Sequence, residues 1–290
     1  MCGRRSSGPW RRSPHRKASS PRALSRRGCQ RLRPSCGRCS VWRTLQGLAR
    51  RLVDVILPRH CAHCGQLIVH PGQVSFCQAC WQQIRLITPP YCPCCGEPFR
   101  SPVALIASPE HRCGACRAHP PPYDHARAVG HYEGPLRQAI HLFKYRGKLP
   151  LRWPLLQLAL EHFHEHYPMA AYEAIIPVPL HPRRLMQREF NQAALLAAGL
   201  SQHLQVPLLE RLLVRTRQTR PQVELSGDQR RSNVKGAFAV TDPGLIDGKA
   251  ALLVDDVLTT GATVGEAARI LKNAGARQVD VFALARVVRR

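Results

Sequence analysis

From residue 61 onward, eight of the thirteen cysteines form four successive Cys-x2-Cys pairs: Cys61/Cys64, Cys77/Cys80, Cys92/Cys95 and Cys113/Cys116. A tight turn brings the two thiols of such a pair to one side, where they fill two corners of a tetrahedron at a Zn–S distance of about 2.3 Å; a second pair closes it. Gly65 and Gly96, each directly after the second cysteine of a pair, suit the positive-φ bend of a metal knuckle. The stretches between the pairs hold too few apolar residues to fold without metal. The spacing therefore predicts two zinc ribbons in tandem, with four thiolates for each of two structural ions. Consecutive sets, Cys61, Cys64, Cys77 and Cys80 followed by Cys92, Cys95, Cys113 and Cys116, are the default. Sharing of ligands between the ribbons is the alternative.

The remaining cysteines and histidines are weaker candidates. Cys36-x2-Cys39 has no second pair, and Cys94 lies inside the Cys92 to Cys95 knuckle, so both read as spectators. His60 and His63 could substitute as ligands, but four thiolates already complete each site. His162, His164 and His166 sit on a predicted helix without a motif such as H-E-x-x-H, and they read as a solvated face. No secretory apolar region precedes the cysteines, so metal or redox chemistry in a reducing, cytoplasmic setting fits better than a disulfide framework. No apolar run approaches the roughly 20 residues of a membrane span.

Charge divides the chain further. The net charge is +25, yet the first 53 residues carry 15 Lys and Arg and no acid, which leaves only +10 for the rest. Residues 1–52 lack helical or strand periodicity and read as a basic, disordered leader. A transit peptide, a nucleic-acid-binding arm and upstream sequence read from too early a start are the competing explanations, the last being the plainest. Residues 53–122 hold the double ribbon. From residue 123 to 290, helical and apolar segments alternate: helices near Pro135–Tyr145, Leu151–His166 and Asn191–His203, a strand at Ala174–Val178, then strand Ala250–Val254, helix Gly265–Ala274 and strand Val279–Leu284. This order predicts an α/β domain with a parallel sheet covered by helices.

The densest chemistry follows the apolar run Ala251–Val254. Ligands of parallel sheets bind beyond the carboxyl ends of the strands, and Asp255 and Asp256 stand there. Thr259, Thr260, Gly261, Ala262 and Thr263 then offer hydroxyls and backbone N–H groups leading into a helix, which is a phosphate cradle. Two carboxylates beside a phosphate site would repel the ligand unless they address a ribose diol or a bridging Mg2+. A phosphorylated ribose satisfies both halves. A P-loop is excluded because G-x4-G-K-[ST] is absent, and a receiver domain because only 34 residues follow Asp256.

This segment resembles the PRPP-binding motif of type I phosphoribosyltransferases. Together with the double ribbon, it is similar to the ComF family of competence proteins, including the GntX group. Further likeness lies in Ile176-Pro-Val-Pro-Leu-His181, Arg188-Glu-Phe-Asn-Gln192, Arg217-Gln-Thr-Arg-Pro-Gln222, Arg231-Ser-Asn-Val-Lys-Gly-Ala-Phe238 and Gly275-Ala276. The resemblance covers about residues 53–290 and implies a phosphoribosyltransferase-type α/β domain preceded by the small zinc-ribbon domain. It assigns Asp255 and Asp256 to the ribose hydroxyls, and Thr259, Thr260, Gly261 and Thr263 to the 5-phosphate. Pro177–Arg184 would match the pyrophosphate loop, where Arg183 and Arg184 could neutralise the leaving group with Mg2+. Gln222, Arg231 and Asn233 fall in the flexible-loop region without assigned roles.

The family usually has glycine where this chain has Glu189, so the loop there is expected to differ. The resemblance leaves two functional classes. One is a PRPP- or ribonucleotide-binding protein of DNA uptake or nucleic-acid reuse, with single-stranded DNA and DNA-uptake proteins as candidate partners. The other is an active phosphoribosyltransferase acting on an unidentified nitrogenous base.

Overall fold

The computed structural model describes residues 58–68, 75–101, 108, 110–145, 147–166, 172–219 and 227–288. The basic leader of residues 1–52 and Gln222 lie outside them. Helices α1 (Gln78–Gln82) and α2 (Gly114–Ala118) belong to the two Cys-rich segments. The order then runs β1 (Ala126–His131), α3 (Gly134–Tyr145), α4 (Arg152–His166), β2 (Ala174–Pro177), α5 (Pro182–Arg188), α6 (Gln192–Leu204), β3 (Leu213–Arg215), α7 (Gly227–Val234), β4 (Phe238–Val240), β5 (Ala250–Leu258), α8 (Ala262–Asn273) and β6 (Gln278–Arg286).

Four strands form one parallel sheet in the order β1-β6-β5-β2. Parallel strands covered on both faces need continuous apolar runs, and Ala250–Val254 at its centre is fully buried. Because successive side chains alternate across a strand, β5 feeds two cores. Leu252 and Val254 pack with α3, α4, α6 and the first ribbon, including Leu136, Phe163, Leu196 and Cys80. Ala251 and Leu253 pack with α8, the β3-β4 pair and the second ribbon, including Val264, Phe238 and Cys95. Each ribbon thus borrows a different face of the sheet for the core that it cannot build alone.

The strand at Ala250 runs four residues beyond Val254, so Asp255 and Asp256 lie within β5 and not past its end. Pairing with β6 continues to Leu258 opposite Arg286, which keeps the polar residues extended. Helix α8 begins at Ala262, three residues before the sequence pattern suggests. The antiparallel β3-β4 pair and the strand β1 are not among the predicted elements. His162 is buried, at 4% exposure, so the three-histidine helix does not present one solvated face. His164 instead meets His203 of α6, with Nε2 atoms 3.0 Å apart.

Candidate functional site

The carboxyl ends of β5 and β2 open into a cleft of about 830 Å³. Asp255 and Asp256 line it from β5, and Thr259, Gly261, Ala262 and Thr263 line it from the loop that follows. Gly261 is the N-cap of α8 with φ +77, a left-handed conformation that glycine adopts without steric cost. Its carbonyl accepts from Gly265 N–H at 2.8 Å, so the helix starts immediately, with Ala262, Thr263 and Val264 of its first turn lining the cleft. The Thr260 hydroxyl is turned back onto the loop, accepting from Ala262 N–H at 3.4 Å, and the residue is not part of the cleft wall.

The two carboxylates differ in surroundings. Asp256 Oδ1 pairs with Lys144 Nζ at 2.7 Å. Burial alone would lower the Lys144 pKa, but the Asp256 carboxylate overrides it and holds the ammonium charged. Asp255 accepts from the Asp256 N–H at 2.8 Å. Burial, then the neighbouring Asp256 charge, push its pKa up to about 7, against the opposing pull of Lys144. Asp255 therefore sits near the point of releasing its proton at neutral pH.

Facing the acids is a basic wall. Arg184 lines the cleft from α5, its guanidinium donating to Thr219 O at 3.2 Å. Arg183 does not line it: on the short helix it points elsewhere and donates to Gln218 Oε1 at 3.0 Å. Arg215, on β3, is 8% exposed and lines the cleft. It donates to Thr219 Oγ1 at 2.5 Å and lies over the Phe238 ring, while its Nε has no hydrogen-bond partner. Burial pulls the Arg215 pKa down to about 10, so the side chain stays cationic. An incompletely satisfied buried guanidinium lining the same cleft as Thr259, Gly261 and Thr263 is suited to an anionic ligand.

The Arg188–Gln192 segment braces this arrangement. Asn191 caps α6 through Ala193 N–H and donates to Val178 O at 3.1 Å, tying the helix to the loop after β2. Gln192, buried, donates to the Lys144 carbonyl at 3.4 Å and so fixes the end of α3 that carries the ammonium. Glu189 stands at φ +67, donating its N–H to Leu185 O at 2.8 Å, and adopts the left-handed conformation that a glycine would take freely. Asn233 contributes its carbonyl to Arg217, and the Arg231 side chain lies outside the described residues.

Lys144 and Arg215 were not legible as site residues from the sequence. The one signal for Lys144 is its place at the end of the helix predicted near Pro135–Tyr145, and β3 is too short to announce Arg215.

The thiols form two separate clusters in consecutive order, Cys61–Cys64–Cys77–Cys80 and Cys92–Cys95–Cys113–Cys116, each with all sulfurs within 4.8 Å of one another. Cys64 and Cys77 sulfurs are 3.7 Å apart, as are those of Cys95 and Cys113. A zinc tetrahedron with 2.3 Å bonds has edges of about 3.8 Å, so both clusters fit the ion. Gly65 and Gly96 have φ of +74 and +71, as a knuckle requires. Cys94, His60 and His63 stand outside both clusters.

Comparison with known proteins accords with this architecture. A double zinc ribbon domain matches residues 52–117, and a phosphoribosyl transferase domain matches residues 191–289. Competence protein F of Haemophilus influenzae is 35% identical over 231 residues, covering 78% of this chain and 96% of that protein. The chain belongs to the ComF family. Another ComF relative, the DNA utilization protein YhgH of Escherichia coli O157:H7, is 35% identical over 221 residues, covering 75% of this chain and 92% of its own. Competence protein ComFC of Streptococcus pneumoniae is 30% identical over 162 residues, covering 55% and 67%. The ComF frame thus joins structural zinc ribbons to a phosphoribosyltransferase-type parallel sheet. Among the described residues, no helix is long and apolar enough to cross a membrane.

Proposed function

We propose that this ComF protein binds a ribose 5-phosphate group, carried by PRPP or a ribonucleotide together with Mg2+, and acts in the cytoplasm in DNA uptake or nucleic-acid reuse. The observation that carries the reading is the succession along one strand and loop: Asp255 and Asp256 inside β5, then Thr259, Gly261, Ala262 and Thr263 at the N-terminus of α8, all on one cleft. The turn supplies N–H donors and the favourable end of a helix dipole to a phosphate. The carboxylates accept from a diol, and Lys144 balances part of their charge. The names of the relatives, competence and DNA utilization, support the cellular role.

Calorimetry with ribose 5-phosphate and with PRPP, each with Mg2+, tests the reading. Each hydrogen bond to a charged acceptor contributes roughly 1.5–3 kcal/mol, so Asp255→Asn with Asp256→Asn is expected to weaken binding at least tenfold. Unchanged affinity in that double variant refutes the assignment. Single-stranded DNA should also bind after removal of residues 1–52, with log affinity falling against log salt at about −0.7 per phosphate neutralised. Binding that vanishes with the leader would reflect only its 15 positive charges.

A second reading, active transfer of ribose 5-phosphate from PRPP to a nitrogenous base, draws on the cationic wall of Arg184 and Arg215. Guanidinium groups placed opposite a bound ribose stabilise charge on departing pyrophosphate oxygens. Pyrophosphate release that rises when free bases are supplied favours transfer over binding alone.

A further inference from the structure

The two zinc ribbons are not equivalent in what they touch. Arg286, at the end of β6, is 8% exposed, and its guanidinium is held by the second ribbon. Its Nε donates to Glu97 Oε2 at 2.6 Å, one terminal nitrogen donates to Cys95 O at 2.9 Å, and the other lies 3.8 Å from Cys95 Sγ. Across the sheet Arg286 is paired with Leu258, the last residue of β5, and Val287 N–H donates to Leu258 O at 2.9 Å. Thr259 follows immediately. A second route runs through Tyr123, seven residues after Cys116. It is buried, and its hydroxyl lies 3.3 Å from where a Cβ on Gly261 would stand, while Pro122 lies 3.7 Å from the equivalent point on Gly265.

We propose that the second ribbon is the template of the phosphate loop, so that zinc at Cys92, Cys95, Cys113 and Cys116 sets how well residues 259–263 hold a phosphate. The binding half of this inference rests on the reading of those residues as a phosphate cradle; the mechanical half does not. Without metal the short knuckle loses the four-thiolate tie that fixes Cys95 against Cys113 and Cys116, and relies on backbone contacts such as Ala126 N–H with Cys94 O. The Cys95 carbonyl then leaves Arg286, and a buried guanidinium short of acceptors cannot keep its position. The end of β6 loosens, and the last β5 pairing loosens with it. The first ribbon docks elsewhere. Its Ala62 carbonyl and His63 contact Gln138 on α3, and its buried residues join the opposite core.

The test uses the full chain, zinc analysis and amide hydrogen exchange. Cys113→Ser should lose one zinc, and exchange at residues 258–264 should speed up about tenfold, within the usual span of coupling between sites. Cys64→Ser should lose the same amount of zinc and leave exchange in that loop at the wild-type rate. Affinity for ribose 5-phosphate should fall about tenfold in Cys113→Ser. Arg286→Lys, which keeps a charge but not the fork, should retain both zinc ions and still loosen the loop. That variant decides the matter if Cys113→Ser does not fold.

Loop exchange unaltered in either folded variant overturns the proposal, as does equal loosening by Cys64→Ser. If the wild-type chain binds no ribose 5-phosphate, the cradle reading fails and the binding half falls with it. Loop exchange still decides whether the ribbon shapes the loop.

Discussion

Lys144 Nζ lies 2.7 Å from Asp256 Oδ1, with the two side chains only 13% and 14% exposed. Removing one partner of a buried ion pair leaves an uncompensated charge, whereas removing both can be nearly neutral. Lys144→Met is therefore expected to cost about 3 kcal/mol of stability in urea unfolding. Lys144→Met combined with Asp256→Asn should recover most of that loss. A double variant no more stable than Lys144→Met alone would show that the pair is not what stabilises this end of the cleft.

Asp255 gives the cleft a pH dependence of definite sign. Its pKa is raised from the ordinary 3.8 to about 7, so over that interval the folded chain keeps a proton that the unfolded chain has released. Its contribution to stability is full below about pH 4, declines as pH rises towards 7 and levels off above it. Binding of a ribose diol has the opposite slope, because the carboxylate is the better acceptor. Ribose 5-phosphate affinity should rise through pH 7 in the wild-type chain. In Asp255→Asn only the rise from ionisation of the phosphate itself, centred near pH 6, should remain.

Glu189 adopts φ +67, where a side chain is strained. Glycine relieves the strain of roughly 1–2 kcal/mol but gives up about 0.5–1 kcal/mol through its freer unfolded state. Glu189→Gly should accordingly stabilise the chain by about 0.5–1 kcal/mol, read as a higher urea midpoint at constant slope. A destabilised variant would mean that the glutamate side chain makes an offsetting contribution.

Metal content follows from the two thiol clusters. Purified, reduced protein should carry about two zinc ions, and Cys61→Ser with Cys113→Ser should release both and open residues 58–118 to protease. Protein without zinc whose double variant stays protease-resistant would rule out the metal role.

Much of this was legible in the sequence because the signals were local. Cys-x2-Cys spacing depends on one turn, and the run from Ala250 to Val254 depends on burial on both faces, so both could be read from short windows. Strand pairing is not local: Asp255 and Asp256 look like the start of a loop until β6 is seen alongside them as far as Leu258. Arg183 and Arg184 read alike as neighbours, but on a helix successive side chains turn by about 100°, and only Arg184 reaches the cleft. The place of Lys144 is fixed by Gln192, 48 residues away, and that of Arg215 by a three-residue strand. Neither relation leaves a periodic trace.

The junction at Gly96 bears on how such chains can be rebuilt. A side chain there would stand 2.4 Å from the Ala126 carbonyl oxygen, and Ala126 N–H already donates to Cys94 O at 2.7 Å. The ribbon and the first strand meet backbone to backbone, with no intervening side chains to absorb a change. An engineer who transplants the second ribbon from a distant homologue, or inserts a residue beside Gly96, therefore has no slack to work with. The graft boundary belongs upstream of Cys92 or downstream of β1, and the two pieces between those points have to travel together.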